Sequence, residues 1–348
     1  MSTQARLQNE GKPKRCGGKA EELLLQGPLS YAFPAQKGRI ALNKLSGERR
    51  AIAEAVLKIS RGDFSGADKF YRSIRKSGGY FPAAASVSLI AAIGSKDVKL
   101  FDRILADIDK FPQRYGTEEA KQVVELLRTW LGLFLYSSAP CPPYIEALDL
   151  SAVPARWRRQ VTFLAVKRLG RKGECLSASV LADVLLNLRS ESDVLASPGD
   201  IHLLLSKALV ARLEGRMDEA GRWCHAAVSL ARDKGIVLPF LGLAMGPKTV
   251  IEKAFVELAP DLLAQVKRQT KPFFRNVLLF HNRYTGESVR EDLTPRQVFL
   301  ASSLKQGMRY KDLALRLGVT LNRLHELVQE LYATLGIGRR KEIGSKVW

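Results

Sequence analysis

The sequence predicts an all-α protein, in which a long array of paired helices is followed by a small C-terminal unit of short helices. From about residue 40 to residue 265, apolar side chains recur at intervals of three and four with few β-branched runs, which is the helical period. Glycines recur at matching places between these helical stretches. Near the C terminus, capping residues and glycines delimit three short helices. These features favour helices packed on helices over a sheet-containing fold.

The charge of the chain is strongly positive and concentrated toward its ends. Its 348 residues include 55 Lys and Arg against 35 Asp and Glu, which gives a net charge of +20. Residues 293–348 hold 10 basic residues against 4 acidic ones, and residues 266–290 hold 6 against 1. Such a protein attracts polyanions, of which nucleic acid is the commonest. A basic composition that serves only solubility is the alternative.

The composition is that of an ordinary globular protein, with 46% hydrophobic and 26% charged residues. No apolar run is long enough to span a bilayer, and the N-terminal residues do not have the pattern of a secretory signal. The cysteines form no CxxC pair and have no histidine at metal-ligand spacing; they are Cys16, Cys141, Cys175 and Cys224. We therefore expect a cytoplasmic protein without membrane contact, metal or cofactor.

An internal repeat predicts helical hairpins. Gly62, Gly173 and Gly215 each follow an apolar helical stretch, and each is followed by an alanine five residues later and a large apolar residue three beyond. A glycine can end one helix in a left-handed cap, and a small alanine lets the next helix pack closely. The second and third copies start 42 residues apart, near the length of a tetratricopeptide-type (TPR) helix pair. A stacked TPR-like array is predicted, with an irregular helical bundle as the alternative.

The C-terminal unit begins with two short helices whose ends are marked in the sequence. Thr294 and Gln297 form a T-x-x-Q capping box around Pro295, and Gly307 ends that first helix. A second helix is predicted at about Tyr310–Leu317, and Gly318 then makes the tight turn that joins paired helices.

The third helix of this unit is capped by Thr320 and has two different faces. Its predicted buried residues are Leu324, Leu327, Val328, Leu331 and Leu335, and its outward residues are Asn322, Arg323, His325, Glu326, Gln329 and Glu330. A three-helix core with a capped third helix and a polar outer face is the geometry that enters the DNA major groove. The sequence therefore predicts a helix-turn-helix unit.

This C-terminal unit resembles the LuxR-type DNA-binding domain over about fifty residues without a gap. The matching residues are Leu293-Thr294-Pro295-Arg296, Gly307, Lys311-Asp312-Leu313-Ala314, Leu317-Gly318-Val319, Leu331-Tyr332, Leu335-Gly336-Ile337, Arg340 and Glu342. The resemblance implies a four-helix domain that usually acts as a dimer, with the third helix reading the groove. It also implies that Arg339, Arg340 and Lys341 begin the fourth helix, where a positive charge can meet phosphate.

The upstream region resembles the helical sensor arrays of the larger, MalT-like members of this superfamily. The similarity lies mainly in residues 200–265, which include Gly235-Ile236-Val237-Leu238-Pro239-Phe240. Those larger members begin with an ATPase module. The segment Gly17-Gly18-Lys19-Ala20 does not fit a phosphate-binding loop, because Pro13 stands where the first glycine belongs and Ala20 replaces the Mg²⁺-binding hydroxyl residue.

The candidate DNA contacts are Arg309, Lys311, Asn322, Arg323, His325, Gln329, Arg339 and Arg340. Arg323 can read a guanine bidentately or grip a phosphate. The third helix departs from the pattern of the family, because His325 replaces a lysine, and Glu326 and Glu330 add carboxylates that phosphates would repel. Two interpretations remain open: a different target sequence, or a domain that has lost its DNA binding.

The predicted organisation is a mobile basic tail (1–38), a TPR-like sensor or interaction domain (39–265), a basic connector (266–292) and the helix-turn-helix domain (293–348). The stretch 267–284 is interpreted as the last helix and connector, with contact to a nucleic-acid backbone as the alternative.

We expect a sequence-specific transcriptional regulator rather than an enzyme, because no catalytic constellation is present. Its partners would be double-stranded DNA, a protein or small-molecule effector on the array, and a second copy in a homodimer. The alternative is a protein-interaction adaptor with a degenerate helix-turn-helix. An electropositive face on the third helix would favour the regulator, and a neutral or apolar face would favour the adaptor.

Overall fold

The structure, a computed structural model, describes residues 47–344 apart from 75–80, 138, 154–156, 173, 188–197, 244–248 and 306. The predicted tail (1–38) lies outside the described residues. Over the described ranges the chain is all-helical and contains no strand, which confirms the all-α class. No helix in these ranges is both long and apolar enough to cross a membrane.

The helices are numbered in chain order. The first eight are α1 (Gly47–Ser60), α2 (Ala67–Ile74), α3 (Phe81–Ser95), α4 (Val98–Tyr115), α5 (Glu118–Phe134), α6 (Pro143–Glu146), α7 (Arg158–Lys172) and α8 (Cys175–Asn187). The others are α9 (Pro198–Leu213), α10 (Met217–Arg232), α11 (Val250–Leu258), α12 (Pro260–Thr285), α13 (Pro295–Lys305), α14 (Tyr310–Leu317) and α15 (Leu321–Leu335). Short 3₁₀ segments occupy Leu150–Ala152, Leu238–Phe240 and Arg340–Glu342.

The repeat glycines lie between helices, as the sequence predicts. Gly62 separates α1 from α2 with φ of +76°, and Gly215 separates α9 from α10 with φ of +77°. Ala220 of α10 and Ala178 of α8 are buried where the paired helices meet. Gly173 itself lies outside the described residues. The helix boundaries are thus confirmed at these places, whereas a TPR-like array remains a prediction.

Helix α12 lies in the core of the array rather than outside it. The helix is continuous through residue 265, where the sequence predicts a domain boundary. The apolar residues of this helix keep their helical spacing after residue 265, and the basic residues lie between them. The Phe273 ring stacks 5.4 Å from that of Phe64, and the Phe280 ring lies 4.6 Å from that of Phe101. These buried rings are not available to stack on bases. The basic connector predicted at 266–292 is therefore mostly a core helix.

The end of α12 is fixed to the segment that follows it. The fully buried His281 has Nδ1 2.6 Å from the Leu135 carbonyl oxygen and Nε2 2.7 Å from a Glu287 carboxylate oxygen. The Asn282 amide exchanges two 2.7 Å hydrogen bonds with the backbone of Val289. These bonds hold residues 286–289 against the array, so the C-terminal unit leaves α12 in a defined direction.

The C-terminal unit shares a continuous core with the array. Val289 and Leu293 are buried in the same apolar cluster as α12 and α13. At a second contact, the Arg212 guanidinium at the end of α9 donates a hydrogen bond to the Arg316 carbonyl in the last turn of α14. A side chain of the array thus caps a helix of the C-terminal unit.

Candidate nucleic-acid interface

Two helices of the C-terminal unit, α13 and α15, begin where their capping residues predict. The Thr294 amide donates to the Gln297 side-chain oxygen at 2.9 Å, and the Gln297 amide donates to Thr294 Oγ1 at 3.3 Å. This reciprocal pair is the predicted capping box of α13. The Arg323 amide donates to Thr320 Oγ1 at 3.2 Å, which caps α15.

The turn between α14 and α15 depends on Gly318. Its φ of +67° lies in the left-handed region that favours glycine. The following Val319 amide donates to the Ala314 carbonyl at 3.0 Å, which satisfies one of the free carbonyls at the end of α14. Helix α14 spans the predicted residues Tyr310–Leu317. The tight turn between paired helices is therefore present as predicted.

Helix α15 has the two faces that its sequence predicts. The five predicted apolar residues are buried, with Leu324 and Leu331 completely inaccessible. The six predicted outward residues are all exposed: Asn322, Arg323, His325, Glu326, Gln329 and Glu330. The outer face therefore holds the amide, imidazole and guanidinium groups that can reach base edges, together with two carboxylates.

The charge of Arg323 is balanced by its neighbours on α15. Its Nη1 lies 2.6 Å from a Glu326 carboxylate oxygen and 3.3 Å from a Glu330 carboxylate oxygen. The hydrogen bond to Glu326, followed by the charges of both carboxylates, raises the pKa of Arg323 despite some desolvation. With one arginine against two glutamates, and with histidine not counted, the helix has a formal charge of −1. The outer face of α15 is thus not electropositive by itself.

Cationic side chains lie beside this face, at the N-terminal end of α14. Arg309 Nε is 2.9 Å from an Asp312 carboxylate oxygen, and this hydrogen bond raises the pKa of Arg309. Lys311 is exposed and has no ion-pair partner among the described residues. The Tyr310 and His325 rings meet edge to face at 5.0 Å, which joins α14 to the outer face of α15. Tyr310 and His325 thus bring Arg309 and Lys311 next to the candidate recognition helix.

The two arginines after α15 have different roles. Arg339 is exposed, with Nε 3.9 Å from a Glu342 carboxylate oxygen. Arg340 is half-buried, and it donates from Nε to the Leu304 carbonyl at 2.9 Å and from Nη2 to the Met308 carbonyl at 3.0 Å. Arg340 therefore caps the end of α13 and is removed from the proposed phosphate contacts.

The fourth helix that the family resemblance implies is not α-helical at its start. Residues Arg340–Glu342 form a 3₁₀ segment, residues 343–344 are α-helical, and residues 345–348 lie outside the described part of the chain. The Arg340 hydrogen bonds to two carbonyls of the α13 end hold this segment against the unit. The described unit accordingly consists of three α-helices, a 3₁₀ turn and two α-helical residues that follow this turn.

Two arginines that stabilise helix ends of the C-terminal unit were not predicted from the sequence. Arg212 caps α14 from the array, and Arg290 donates to the Thr334 carbonyl near the end of α15 at 2.6 Å. Neither has a local signal, because each acts on a carbonyl that is distant in sequence.

Comparison with models of known protein families, with curated proteins and with solved structures gives no match. The function is therefore inferred from the residues of the chain alone.

Proposed function

We propose that the chain is a sequence-specific DNA-binding transcriptional regulator of the helix-turn-helix class. The observation that carries the proposal is the geometry of α14, the Gly318 turn and α15, in which the apolar face of α15 is buried and the polar face is exposed. Such a helix has the width and the side chains to read base edges in a major groove. The LuxR-type resemblance of residues 293–348 supports the same class.

In this proposal, phosphate contacts position the domain and α15 reads the sequence. Lys311, Arg309 and Arg339 supply exposed positive charge on both sides of α15. Asn322 and Gln329 can pair with adenine, and Arg323 can pair with guanine. The ring contact between His325 and Tyr310 fixes the outer face of α15 relative to α14. Glu326 and Glu330 hold the Arg323 guanidinium and can accept a hydrogen bond from a cytosine amino group.

The array receives a ligand or a protein partner and transmits its presence to the C-terminal unit. Two contacts can carry that signal: the His281 bonds at the end of α12 and the Arg212 cap on α14. A change at either contact would reorient the unit or alter pairing of two copies. Two recognition helices in such a dimer would lie about 34 Å apart, one helical turn of DNA.

The test is fluorescence anisotropy of the full chain on the DNA upstream of its own gene and on a shuffled duplex, over a salt series. We expect tighter binding to the upstream duplex. Arg323→Ala should weaken that binding about tenfold and reduce the discrimination between the duplexes, since one bidentate base contact is worth about 1–3 kcal/mol. Lys253→Ala, which removes an exposed charge from α11, is the matched control and should change neither quantity.

A protein-interaction adaptor is the second candidate, and the pairing of Arg323 with two carboxylates favours it. A helix of formal charge −1 lacks the electropositive face that would favour the regulator. An adaptor would bind both duplexes equally and weakly, and Arg323→Ala would leave the affinity unchanged.

The double variant Glu326→Gln with Glu330→Gln separates the two candidates further. In a regulator it should change the ratio of affinities for the two duplexes, because groups that face the bases are altered. In an adaptor it should raise affinity for both duplexes by the same factor, because only repulsion of phosphates is removed.

A further inference from the structure

The last six residues of helix α7 include four basic ones, of which two have a carboxylate partner among the described residues. Arg168 Nε lies 2.9 Å from one Glu146 carboxylate oxygen, and Lys172 pairs with the other. These two cations hold the pKa of Glu146 below its usual value. Lys167 and Arg171 lie one helical turn apart, and neither forms an ion pair with any carboxylate of the described residues.

Lys167 is half-buried between α7 and α9. Its Nζ lies 3.4 Å from His202 Nδ1 of α9. Burial, together with the charge of Arg171, lowers the pKa of Lys167 to about 8. Burial and then the Lys167 charge lower the pKa of His202 well below its usual value, so the imidazole is neutral near pH 7 and Nδ1 accepts from the ammonium. The Lys167 charge therefore has a neutral neighbour but no counter-ion among the described residues.

Arg171 faces an aromatic ring instead of a carboxylate. Its guanidinium carbon lies 4.8 Å from the centre of the Tyr136 ring, a cation–π distance. Burial lowers the pKa of Arg171 to about 10. A guanidinium stacked on a ring keeps its N–H groups in one plane, where they can bind two oxygens of an anion.

The backbone of Tyr136 is held in an unusual conformation. Its φ of +61° lies in the left-handed region, which is rare for a bulky residue. The Ser137 amide donates to the Gly132 carbonyl at 2.8 Å, so Tyr136 occupies the position after α5 that normally belongs to glycine. Its hydroxyl donates to the Gly242 carbonyl at 3.4 Å. Strain of this kind is typical of functional sites, and here it fixes the ring that faces Arg171.

We propose that Lys167 and Arg171, with His202 and Tyr136 at their sides, form a binding site for a small dianion that bears a phosphate or two carboxylates. Two cations in a partly dehydrated setting cost stability unless an anion balances them. A dianion matches their combined charge, and the half-buried side chains remain accessible to a small ligand. The site lies in the array, and it does not depend on DNA binding.

The test measures the thermal midpoint Tm of the full chain against inorganic phosphate, malonate and chloride at matched ionic strength, pH 7.5. Phosphate or malonate should raise Tm in a saturable manner, by about 3 °C at ten times its Kd, while chloride should not. Phosphate and malonate distinguish a phosphoryl ligand from a dicarboxylate. Lys167→Gln and Arg171→Gln should each abolish the shift. Lys172→Gln on the same helix, whose charge is paired with Glu146, should retain it.

Equal shifts in all variants, or shifts that follow ionic strength, would overturn the proposal, as would no shift with either dianion. Lys167→Met supplies a measurement that does not depend on ligand. Removing one of two unbalanced cations should raise the Tm of the ligand-free protein, whereas Lys172→Met should lower it or leave it unchanged. A lower Tm for Lys167→Met alone would show that the charge is already balanced and would also overturn the proposal.

Discussion

The cations of the C-terminal unit and those of α7 differ in whether they have carboxylate partners, which a count of charges does not show. On the exposed unit, Arg309, Arg323 and Arg339 each lie within ion-pair distance of a carboxylate. On the half-buried side of α7, Lys167 and Arg171 have no such partner among the described residues. These three arginines are thus balanced where water already screens charge, whereas Lys167 and Arg171 are unbalanced where water screens charge less. The number of basic residues in the sequence therefore does not show which cations lack a carboxylate partner, or where an anion would bind.

This contrast has opposite consequences in the two regions. Exposed ion pairs contribute little to stability and exchange partners readily, so Arg323 can leave its glutamates for a base. The α7 cations have fixed neighbours and would hold a ligand in one orientation.

The two faces of α15 should differ most in stability. Leu331→Ala should lower the free energy of unfolding by about 2–5 kcal/mol, because it leaves a cavity beneath a fully buried side chain. The adjacent Glu330→Ala should change it by less than about 0.5 kcal/mol, since its side chain is exposed. Urea denaturation of the full chain measures both. Similar losses for the two variants would mean that α15 is packed on both faces.

Arg340 and Arg339 form a matched pair of neighbouring arginines. Arg340→Ala should destabilise the protein by about 1–3 kcal/mol, because the Leu304 carbonyl of α13 and the Met308 carbonyl of the following loop lose their donor. Arg339→Ala should leave stability unchanged. It should reduce by about one the slope of the logarithm of the DNA-binding constant against the logarithm of the salt concentration. Urea denaturation and salt-dependent anisotropy give the two quantities. If Arg340→Ala reduced the salt slope and left stability unchanged, Arg340 would be a phosphate contact and not a structural residue.

Lys167 gives a dependence of stability on pH. Its folded pKa of about 8 lies below the unfolded value, so between these values the unfolded state binds more protons and stability rises with pH. The destabilisation is therefore fully present below pH 8 and decreases above it. The slope approaches about 1.4 kcal/mol per pH unit at most. Denaturation of the protein and of Lys167→Met at pH 7 to 9 should show a smaller rise in the variant, and parallel curves would contradict the assignment.

The ion pairs of Arg323 should have the smallest effect. Glu326→Gln with Glu330→Gln should change the free energy of unfolding by less than about 0.5 kcal/mol, because all three side chains are exposed. Thermal denaturation at low and high salt measures this. A loss of several kcal/mol would mean that Arg323 is a structural residue, unavailable for DNA.

The sequence predicted those parts of the structure that local interactions determine. Thr294, Gln297, Gly318 and Thr320 mark the helix ends in the C-terminal unit because each bonds within its own few residues. Gly62 and Gly215 also end helices through their own local conformation, and the sequence predicted these helix ends as well.

Features set by contacts distant in sequence were not predictable in this way. Residue 265 lies inside α12 because the buried rings of that helix contact rings of α4, α5 and the loop before α2, which are far away along the chain. Arg340 matches a family position, yet its role depends on which carbonyls α13 brings beside it. The contact of Arg171 with Tyr136 has no sequence signal, since Arg171 lies in α7 and Tyr136 lies in the turn after α5.

The most direct test of the proposed function is the anisotropy comparison of the full chain with Arg323→Ala on the upstream and shuffled duplexes. We predict tighter binding to the upstream duplex, with about a tenfold loss and less discrimination in the variant. Equal, weak binding to both duplexes that disappears with salt and does not respond to Arg323→Ala would contradict the proposal and leave the adaptor.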